Sequence, residues 1–381
     1  MKFLISSYTW LLFDPPLLNL GHLLASRGHQ VVAVGIGRRG TPPRETVVPG
    51  FEIRRVGFTA NSRSSHVAGA GIAARYVVEL SRVALSLKPD SYIAGNWNSF
   101  LASLVASRCH RAKLIYYQLE FNDRRDGILS RQSASARLAL RIERRCIKHA
   151  SAIFSAEPNR SRLMAQDYAL NQEPPYIYNA PRLASFPSAR IERPAGDLRI
   201  VYAGSIGPRT GIPSLLGALG SHRAAAEIDI YGLIQVGYEH DFSEHLATAV
   251  AAGNRVRYMG TVPYASLPAI LQLYQAALLF YRPSNLNEYY CSPCKLFEYM
   301  AAGLAVIASD LPGLRQIIDP PTRGLCVASN SPSEVIAAIG RFASNPTLAA
   351  AMGAAGHKSF LSNYNFETQA ERLLQVLERE S

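Results

Sequence analysis

Short apolar runs alternate with helix-like runs along nearly the whole chain, and this alternation limits the possible folds more than any other feature. A βα repeat of this kind predicts an α/β fold with mostly parallel sheets. The strand-like runs are residues 2–6, 30–35, 91–94, 113–117, 152–155, 175–178, 198–203, 227–231, 255–259, 276–281, 305–308 and 324–327. The helix-like runs include residues 16–27, 70–87, 100–108, 129–149, 212–219, 242–251, 264–273, 293–302, 332–343, 346–360 and 366–378.

A stretch with neither pattern divides this repeat into two halves. Residues 181–197 carry three prolines and no periodic hydrophobicity, which is typical of a linker. The predicted organisation is an N-terminal domain of residues 1–180, a C-terminal domain of residues 198–360 and a final helix in residues 361–381. We therefore expect two Rossmann-like parallel-sheet domains that face a cleft, with ligands at the carboxyl ends of the strands.

The composition favours a globular protein without a membrane span. Apolar types make up 48% of the 381 residues, which is enough for two packed cores. No apolar run is long enough to predict a membrane-spanning helix, and the first residues resemble a strand more than a signal peptide. Five cysteines in a chain of this length do not indicate a disulfide framework. These features predict a cytoplasmic protein with free thiols.

Positive charge is concentrated in the first half of the chain. Residues 1–190 hold 26 Lys and Arg against 12 Asp and Glu, whereas residues 191–381 hold 14 against 16. The densest part is a predicted helix whose arginines are Arg131, Arg137, Arg141, Arg144 and Arg145. These arginines fit either a solvated helix face or a surface for anionic lipid, where each basic residue contributes about 1 kcal/mol. Nucleic acid is a weaker alternative, because aromatic residues do not alternate with the basic ones.

The segment 283–303 predicts a loop followed by a short helix with clear end signals. Ser292 is a good N-cap residue, and Pro293 at the first helical position loses no hydrogen bond. Gly303 is placed to end the helix in a left-handed conformation. The segment follows the strand-like run 276–281, so the helix should begin at the carboxyl end of a strand.

A helix that begins at this edge of a sheet forms an anion site, because its free N–H groups and positive dipole end point at the ligand. Lys295 adds a full positive charge in the first turn. Glu298 follows three residues later on the same helix face and can accept hydrogen bonds from hydroxyl groups. A cation for phosphate beside an acceptor for hydroxyls suits a nucleoside diphosphate that carries a sugar.

Three glycine-containing strand ends lie in the same half of the chain. The first is the loop 203–211, in which three glycines allow backbone amides to approach an anion and Arg209 supplies charge. The others are Gly232 and the segment 259–262. The loop matches neither the dinucleotide-binding G-x-G-x-x-G pattern nor a P-loop. Each of these turns, taken singly, is equally compatible with a tight βα connection that binds nothing.

Candidate polar groups in the first half also follow strands. Asn96 comes after the run 91–94, and Glu120 and Asp123 come after the run 113–117. The two carboxylates are candidates for a general base or a hydroxyl ligand, and helix caps or surface pairs are the alternative. Asp14 and Asn19, after the first strand, form a weaker candidate. We predict no metal site, because the pair Cys291 and Cys294 lacks a second pair or a nearby histidine.

Together these segments resemble the GT-B glycosyltransferases, and among them family four, also called group 1. The resemblance is strongest between residues 201 and 352, and it rests on the segments 201–205, 231–232, 259–262, 283–284, 292–310 and 324–327. It implies a nucleoside-diphosphate sugar donor on the C-terminal domain and an acceptor on the N-terminal domain. It also implies a C-terminal helix that crosses back to the N-terminal domain, and no obligatory metal or other cofactor.

The resemblance also implies roles for single residues. Glu298 matches the family glutamate that holds the donor ribose, the backbone amides of residues 292–295 would bind the diphosphate, and the turn at Val262 would meet the base. The residues expected to contact the donor are Gly204, Ser205, Gly207, Thr210, Gly232, Gly260, Thr261, Val262, Pro283, Ser284, Glu288, Tyr290, Ser292, Pro293, Cys294, Leu296 and Glu298. The residues expected to take part in catalysis are Asn96, Glu120, Asp123, Arg209 and Lys295.

The chain departs from the family pattern at several of these positions. Tyr290 occupies the place of a family glutamate, and Glu288 lies two residues earlier. Ser205 and Thr210 stand where the family has arginine and lysine, so Arg209 and Lys295 are expected to supply that charge. These differences indicate a divergent subgroup.

The predicted function is sugar transfer from a nucleotide sugar to a glycan or lipid-linked acceptor, in surface polysaccharide or glycolipid synthesis. The predicted location is the cytoplasm, with possible attachment to the inner membrane face and no role in nucleic acid binding. Two alternatives remain open at this point. One is a sugar-nucleotide epimerase, which shares the architecture, and the other is a non-catalytic nucleotide-binding partner of a glycosyltransferase.

Overall fold

The computed structural model describes residues 1–11, 14–38, 40–59, 66–121, 141–186, 196–208, 210–319, 322–328 and 331–378. The chain forms two compact units. The first unit consists of Met1–Asn179 together with Gln369–Ser381, and the second unit consists of Ala180–Thr368.

The first unit contains a seven-stranded sheet in which all neighbouring strands are parallel except one edge pair. Its strands are β1 (Lys2–Ser6), β2 (Gln30–Arg38), β3 (Arg44–Val48), β4 (Phe51–Thr59), β5 (Ser91–Ala94), β6 (Lys113–Gln118) and β7 (Ala152–Ser155). Their order is β3-β4-β2-β1-β5-β6-β7, and β3 runs antiparallel to β4. The β3–β4 hairpin is absent from the sequence-based prediction. The predicted strand at 175–178 is wrong, because only Tyr176 there forms a single bridge, with Ser155.

Helices cover this sheet and supply much of its core. The helices described in the first unit are α1 (Pro15–Ser26), α2 (His66–Leu87), α3 (Trp97–His110) and α4 (Pro158–Tyr168). Residues 141–146 are also helical and lead into a 3₁₀ turn at Ile147–His149. Tyr76 and Leu80 of α2 are almost completely buried with Leu4 of β1 in one apolar cluster. Of the helix predicted over residues 129–149, the part before residue 141 lies outside the described residues.

The second unit contains a six-stranded sheet that is parallel throughout. Its strands are β8 (Arg199–Ala203), β9 (Glu227–Tyr231), β10 (Arg255–Gly260), β11 (Ala276–Leu279), β12 (Ala305–Ser309) and β13 (Gly324–Val327), in the order β10-β9-β8-β11-β12-β13. Strands β11 and β12 are buried at every residue, as expected for apolar runs covered on both faces. Strand β11 stops at Leu279, two residues before the predicted end.

The helices that accompany this sheet agree with the prediction at most positions. They are α5 (Ile212–Leu219), α6 (Glu239–Ala251), α7 (Leu267–Leu271), α8 (Leu286–Tyr289), α9 (Cys294–Ala301), α10 (Pro312–Ile318), α11 (Pro332–Ser344), α12 (Pro346–Ser362) and α13 (Phe366–Glu378). Helix α13 crosses the boundary between the units, and its residues from Gln369 onward belong to the first unit. There the Oε1 of Gln369 accepts a hydrogen bond from the backbone N–H of Tyr178 at 3.2 Å.

Each sheet has one point at which the order of its strands reverses. In the first sheet this switch point lies between β1 and β5, and in the second it lies between β8 and β11. Ligands of doubly wound sheets bind at the carboxyl ends of the strands at such points. The predicted α/β class with two parallel-sheet domains is confirmed, and the topology indicates where each sheet can hold a ligand.

A carboxyl group is fully buried beside the carboxyl end of β6. Glu143 has no exposed surface, and its Oε1 accepts hydrogen bonds from the hydroxyls of Tyr116 at 2.6 Å and Tyr168 at 3.1 Å. The amide Nε2 of Gln118 donates to the same oxygen at 3.1 Å. Burial raises the pKa of Glu143 to about 7, although these donors and Arg144 act in the opposite direction.

We expect this carboxyl to make the stability of the fold depend on pH. The folded state keeps a proton on Glu143 that the unfolded state releases, so stability should fall as the pH rises from the ordinary value of 4.5 to about 7 and then level off. The Glu143→Gln variant should lose this component. Urea denaturation followed by circular dichroism between pH 5 and pH 8 measures it, with exposed Glu173→Gln as the control. An unchanged pH dependence in Glu143→Gln would contradict the assignment.

Candidate functional site

Helix α9 begins at the carboxyl edge of the second sheet, one residue later than predicted. Its first residue is Cys294, and Pro293 takes the N-cap position with an extended backbone. Ser292 therefore lies outside the helix, and its predicted role as the N-cap is wrong. A proline side chain has no acceptor with which to cap the first amides of the helix. Gly303 ends the helix as predicted, with a φ of 69° in the left-handed region.

Lys295 lies at the switch point of the second sheet. Its Nζ is 4.9 Å from the ring centroid of Tyr202 on β8 and 5.4 Å from that of Tyr281, which follows β11. The same Nζ is 3.5 Å from the hydroxyl oxygen of Tyr202. Among the described residues, no carboxylate forms an ion pair with Lys295. The helix therefore places a cation without a carboxylate partner between the two strands that flank the switch point.

Glycines bring the ends of three strands close together beside this cation. A Cβ at Gly204 would lie 2.1 Å from the Nζ of Lys295, so the lysine amine occupies the space that a side chain would need. A Cβ at Gly232 would lie 1.7 Å from the carbonyl oxygen of Gly204. The N–H of Gly232 donates to the carbonyl of Gly260 at 2.8 Å. These three predicted site residues and Lys295 thus form one contiguous group.

Glu298 lies on the same helix and is 4% exposed. Its Oε1 accepts hydrogen bonds from the hydroxyl of Tyr264 at 2.7 Å and from the thiol of Cys294 at 3.3 Å. Burial raises the pKa of Glu298, against the opposing effects of these two donors and of Lys295. Tyr264 begins the 3₁₀ turn that follows Thr261 and Val262, so the turn predicted to meet a base is joined directly to Glu298.

The loop after β8 is organised mainly by its own hydrogen bonds. Thr210 is buried, and its hydroxyl donates to the carbonyl of Gly207 at 2.8 Å and accepts from the N–H of Gly207 at 3.2 Å. Ser205 is exposed, and its hydroxyl accepts a hydrogen bond from Gln235 at 3.1 Å. Arg209, which was predicted to contribute charge, lies outside the described residues.

The segment after β11 is likewise folded on itself. The carboxylate of Glu288 accepts hydrogen bonds from the backbone N–H and the hydroxyl of Ser284, at 2.7 and 3.0 Å. The ring of Tyr290 packs edge-on against Tyr289 with centroids 5.0 Å apart, and Pro283 is exposed. Glu288 is therefore held within its own turn in this structure.

Two residues predicted to contact the donor have side chains that pack in the interior. The side chain of Leu296 is fully buried, and its N–H donates to the carbonyl of Pro293 at 3.0 Å. The side chain of Leu296 therefore belongs to the core, and a contact between Leu296 and the donor stays a prediction. The thiol of Cys294 is held against Glu298, and burial raises the pKa of this thiol well above its usual range. In this structure the thiol acts as a hydrogen-bond donor to Glu298.

In the first unit, Asn96 acts as a helix cap. Its Oδ1 accepts from the N–H of Ser99 at 3.0 Å, and its Nδ2 donates to the hydroxyl of Ser7 at 2.9 Å. The same Oδ1 accepts from the N–H of Tyr8 at 3.3 Å, so the residue joins the ends of β1 and β5. These hydrogen bonds give Asn96 a structural role, and its expected catalytic role stays a prediction.

Three carboxylates of the first unit were candidates for a catalytic or binding role. Glu120 is exposed after β6, whereas Asp123 lies outside the described residues. Asp14 follows β1 and accepts hydrogen bonds on its Oδ2 from the hydroxyls of Ser7 and Thr9. Burial raises the pKa of Asp14, the two hydroxyls oppose this, and the charge of Glu120 raises it further. The sequence ranked Asp14 below Glu120, but the structure places Asp14 at the switch point of the first sheet.

Sequence reasoning missed the tyrosines that organise the second unit. Tyr202, Tyr281 and Tyr264 contact Lys295 or Glu298, as described above. Tyr299 is fully buried, and its hydroxyl accepts a hydrogen bond from the N–H of Ala203 at 2.9 Å. The only available signal was the density of tyrosine next to the glycine turns, because these contacts join segments that are far apart in sequence.

Within the described ranges, no group of three or more histidine, cysteine, aspartate or glutamate side chains could hold a metal ion. Likewise, none of the helices the structure describes has the length and apolar character needed to cross a membrane.

Comparison with protein families gives one match in each half of the chain. Residues 17–171 match the family described as a glycosyl transferase 4-like domain. Residues 209–375 match the family described as glycosyl transferase-like. A comparison with curated proteins found no match.

Solved structures of similar fold cover the whole chain. Sucrose-phosphate synthase from Thermosynechococcus elongatus aligns with a TM-score of 0.80 at 17% identity, covering 100% of this chain and 98% of its own. HepE of Anabaena, solved with UDP and glucose, gives 0.71 at 14% identity and covers 99% of both chains. The lipopolysaccharide outer core galactosyltransferase WaaB gives 0.64 at 13% identity and covers 100% of both chains. At these identities the likeness shows the fold.

The glycine contacts predict different costs for three alanine substitutions. Gly232→Ala places a methyl group against backbone that cannot move aside, and we expect a loss of roughly 3 kcal/mol of stability. Gly204→Ala meets only the mobile end of Lys295 and should cost less. Gly217→Ala, in helix α5 with no atom within 4 Å, should stabilise the protein by about 0.5–1 kcal/mol. Chemical denaturation gives the ranking, and a Gly232→Ala protein as stable as the unaltered one would refute it.

Proposed function

The chain is a glycosyltransferase of the GT-B fold, related to the group 1 or family-four enzymes, and on this basis we propose that it transfers a sugar from a nucleoside-diphosphate sugar to a glycan or lipid-linked acceptor. One observation carries the proposal. Lys295 and Glu298 lie on one helix at the carboxyl edge of the second sheet, where the strand order reverses. The alternatives, an epimerase and a non-catalytic partner, have no comparable support.

The donor is proposed to bind along this edge. The first amides of α9 and the ammonium of Lys295 would hold the diphosphate, because both present positive charge to the same place. Glu298 would accept hydrogen bonds from ribose hydroxyls, and the turn at Val262 and Tyr264 would lie against the base. Gly260, where a Cβ would meet no atom within 4 Å, leaves room for the ligand to approach the backbone, while Gly204 and Gly232 allow Lys295 and the strand ends to lie close together. HepE was solved with UDP and glucose, which supports a nucleotide-sugar donor.

Catalysis is proposed to come mainly from stabilisation of the departing nucleoside diphosphate. Lys295, Arg209 and the start of α9 would balance the negative charge that develops on the leaving oxygen. If the reaction inverts the anomeric centre, Glu120, Asp123 or Asp14 is the candidate base. If it retains configuration, the leaving phosphate itself can take the acceptor proton. No metal or other cofactor is needed in either scheme.

The acceptor is proposed to be a growing surface glycan or a glycolipid at the inner face of the membrane. WaaB is a lipopolysaccharide outer core galactosyltransferase, which supports this class of acceptor. The positive charge of the first half of the chain fits an anionic membrane surface. Arg141, Arg145 and Lys148 are exposed and available for such a contact.

Arg144 does not belong to this surface. Its guanidinium forms an ion pair with Asp167 and donates to the carbonyl of Asp167 at 2.6 Å. It also lies 5.5 Å from the ring centroid of Tyr168. The expectation that Arg144 contacts lipid is therefore corrected, while Arg137 lies outside the described residues.

The proposal predicts separate effects for the two side chains of α9. Lys295→Met should lower kcat by about 10²–10³, because it removes charge that acts on the leaving group. Glu298→Gln should mainly raise KM for the donor, by about tenfold. Since the pKa of Glu298 is raised, KM should also increase as the pH falls through a range higher than that of an ordinary carboxyl, and Glu298→Gln should remove this pH effect.

These values come from steady-state release of the nucleoside diphosphate, after a thermal-shift screen of nucleoside diphosphates and their sugars has identified the base. The products separate the proposal from its alternatives. Transfer to an acceptor supports it. An isomerised nucleotide sugar formed without acceptor would indicate an epimerase, and tight binding without turnover of any nucleotide sugar would indicate a non-catalytic partner.

Membrane contact predicts a second, independent effect. The Arg141→Gln/Arg145→Gln variant should bind anionic vesicles several-fold more weakly, because each basic residue contributes about 1 kcal/mol at such a surface. Donor binding should stay unchanged. Sedimentation with vesicles of phosphatidylglycerol and phosphatidylcholine measures the effect, and Arg255→Gln/Arg315→Gln in the second unit is the charge-matched control. Equal vesicle binding by all three proteins would reject the surface.

A further inference from the structure

Two tyrosine rings form the immediate surroundings of the Lys295 ammonium. One belongs to Tyr202, which is fully buried on β8, and the other to Tyr281, which is partly exposed after β11. The distances from Nζ to the ring centroids, 4.9 and 5.4 Å, are within the range of favourable cation–π contacts. On a third side the amine meets the α-carbon of Gly204, where no side chain can intervene.

Aromatic rings hold a cation in a different way from carboxylates. A carboxylate neutralises the ammonium that it positions, so that an anionic ligand must compete with it. The ring quadrupole attracts the cation but carries no net charge. Burial acts to lower the pKa of Lys295, but this pKa still lies above its usual range, so the ammonium stays charged at neutral pH.

The two tyrosines lie at the switch point of the second sheet. Tyr202 and Tyr281 stand at the ends of β8 and β11, which are the two strands on either side of the switch point. Tyr281 is held there by its backbone, since its N–H donates to the hydroxyl of Ser309 at 2.8 Å. The hydroxyl of Tyr202 donates to the carbonyl of Ser205 at 2.6 Å, which ties its ring to the glycine loop.

We propose that Tyr202 and Tyr281 are positioning residues, which hold Lys295 above Gly204 with its full charge available to the diphosphate of the donor. This inference rests on the proposed function and deepens it. The tyrosine pair makes it possible for a lysine of α9 to present its charge at the switch point of the second sheet.

The test compares ligands with and without phosphate. UDP, GDP and inorganic pyrophosphate are titrated calorimetrically, with uridine and guanosine as phosphate-free controls. Tyr281→Leu should weaken binding of the diphosphates roughly five- to thirtyfold, the size expected of a partly desolvated cation–π contact. Nucleoside binding should not change. Tyr281→Phe, which keeps the ring, should bind within about threefold of the unaltered protein.

A double-mutant cycle separates positioning from a general structural role. In a Lys295→Met background, Tyr281→Leu should have no further effect on diphosphate binding, because the cation that the ring holds is gone. An equal loss in both backgrounds, or an equal loss of nucleoside binding, would overturn the proposal. Absence of diphosphate binding by the unaltered protein would reject the proposed function, and the positioning role with it.

A second measurement covers the case in which Tyr281→Leu does not fold. Tyrosine analogues with an increasing number of ring fluorines at position 281 keep the shape of the side chain while weakening the negative face of the ring. Pyrophosphate affinity should fall stepwise with fluorine number at a pH where the analogues are uncharged. Constant affinity across the series, with melting temperatures unchanged, would show that the ring does not act through the cation.

Discussion

The contact between the Lys295 amine and the α-carbon of Gly204 sets the form of the second sheet's carboxyl edge. A side chain at position 204 would have to displace the mobile end of Lys295, whereas one at position 232 would meet the backbone carbonyl of Gly204, which cannot move aside. A larger residue at either position would separate the ends of β8 and β9 or displace the lysine. The charged amine of Lys295 therefore lies at the centre of this edge. The positions of the tyrosines, the glycine turns and the start of α9 all depend on where the amine lies.

Much of this could be predicted from the sequence, because periodic hydrophobicity and helix end signals are local. The strands of the second unit agree with the prediction to within two residues, Gly303 ends α9 as expected, and the resemblance to GT-B glycosyltransferases is confirmed. What could not be predicted depends on distant contacts. The exposed edge hairpin β3–β4 has a weak pattern, and nothing local distinguishes the core residue Leu296 from a contact residue. The contacts of Tyr202 and Tyr281 with Lys295 also arise only when three segments meet.

The two sheets carry different chemistry at equivalent points of their topology. At the switch point of the first sheet, Asn96 and the hydroxyl of Ser7 form a network in which Asp14 accepts hydrogen bonds. At the switch point of the second sheet, a cation lies between aromatic rings. An edge rich in hydroxyl and amide groups suits sugar groups, whereas a cation held by aromatic rings suits phosphate. The division of labour proposed for the two units thus agrees with what each edge can bind.

The anchoring of α9 has a consequence for the length of ligand that the second unit can accept. Tyr299 bonds the helix to the backbone of Ala203, so α9 cannot slide along β8 without breaking a buried hydrogen bond. Lys295 and Glu298 are three residues apart, a rise of about 4.5 Å along the axis. The interval between Lys295 and Glu298 is therefore fixed relative to the end of β8, and a ligand that contacts both side chains has to match that interval rather than induce it.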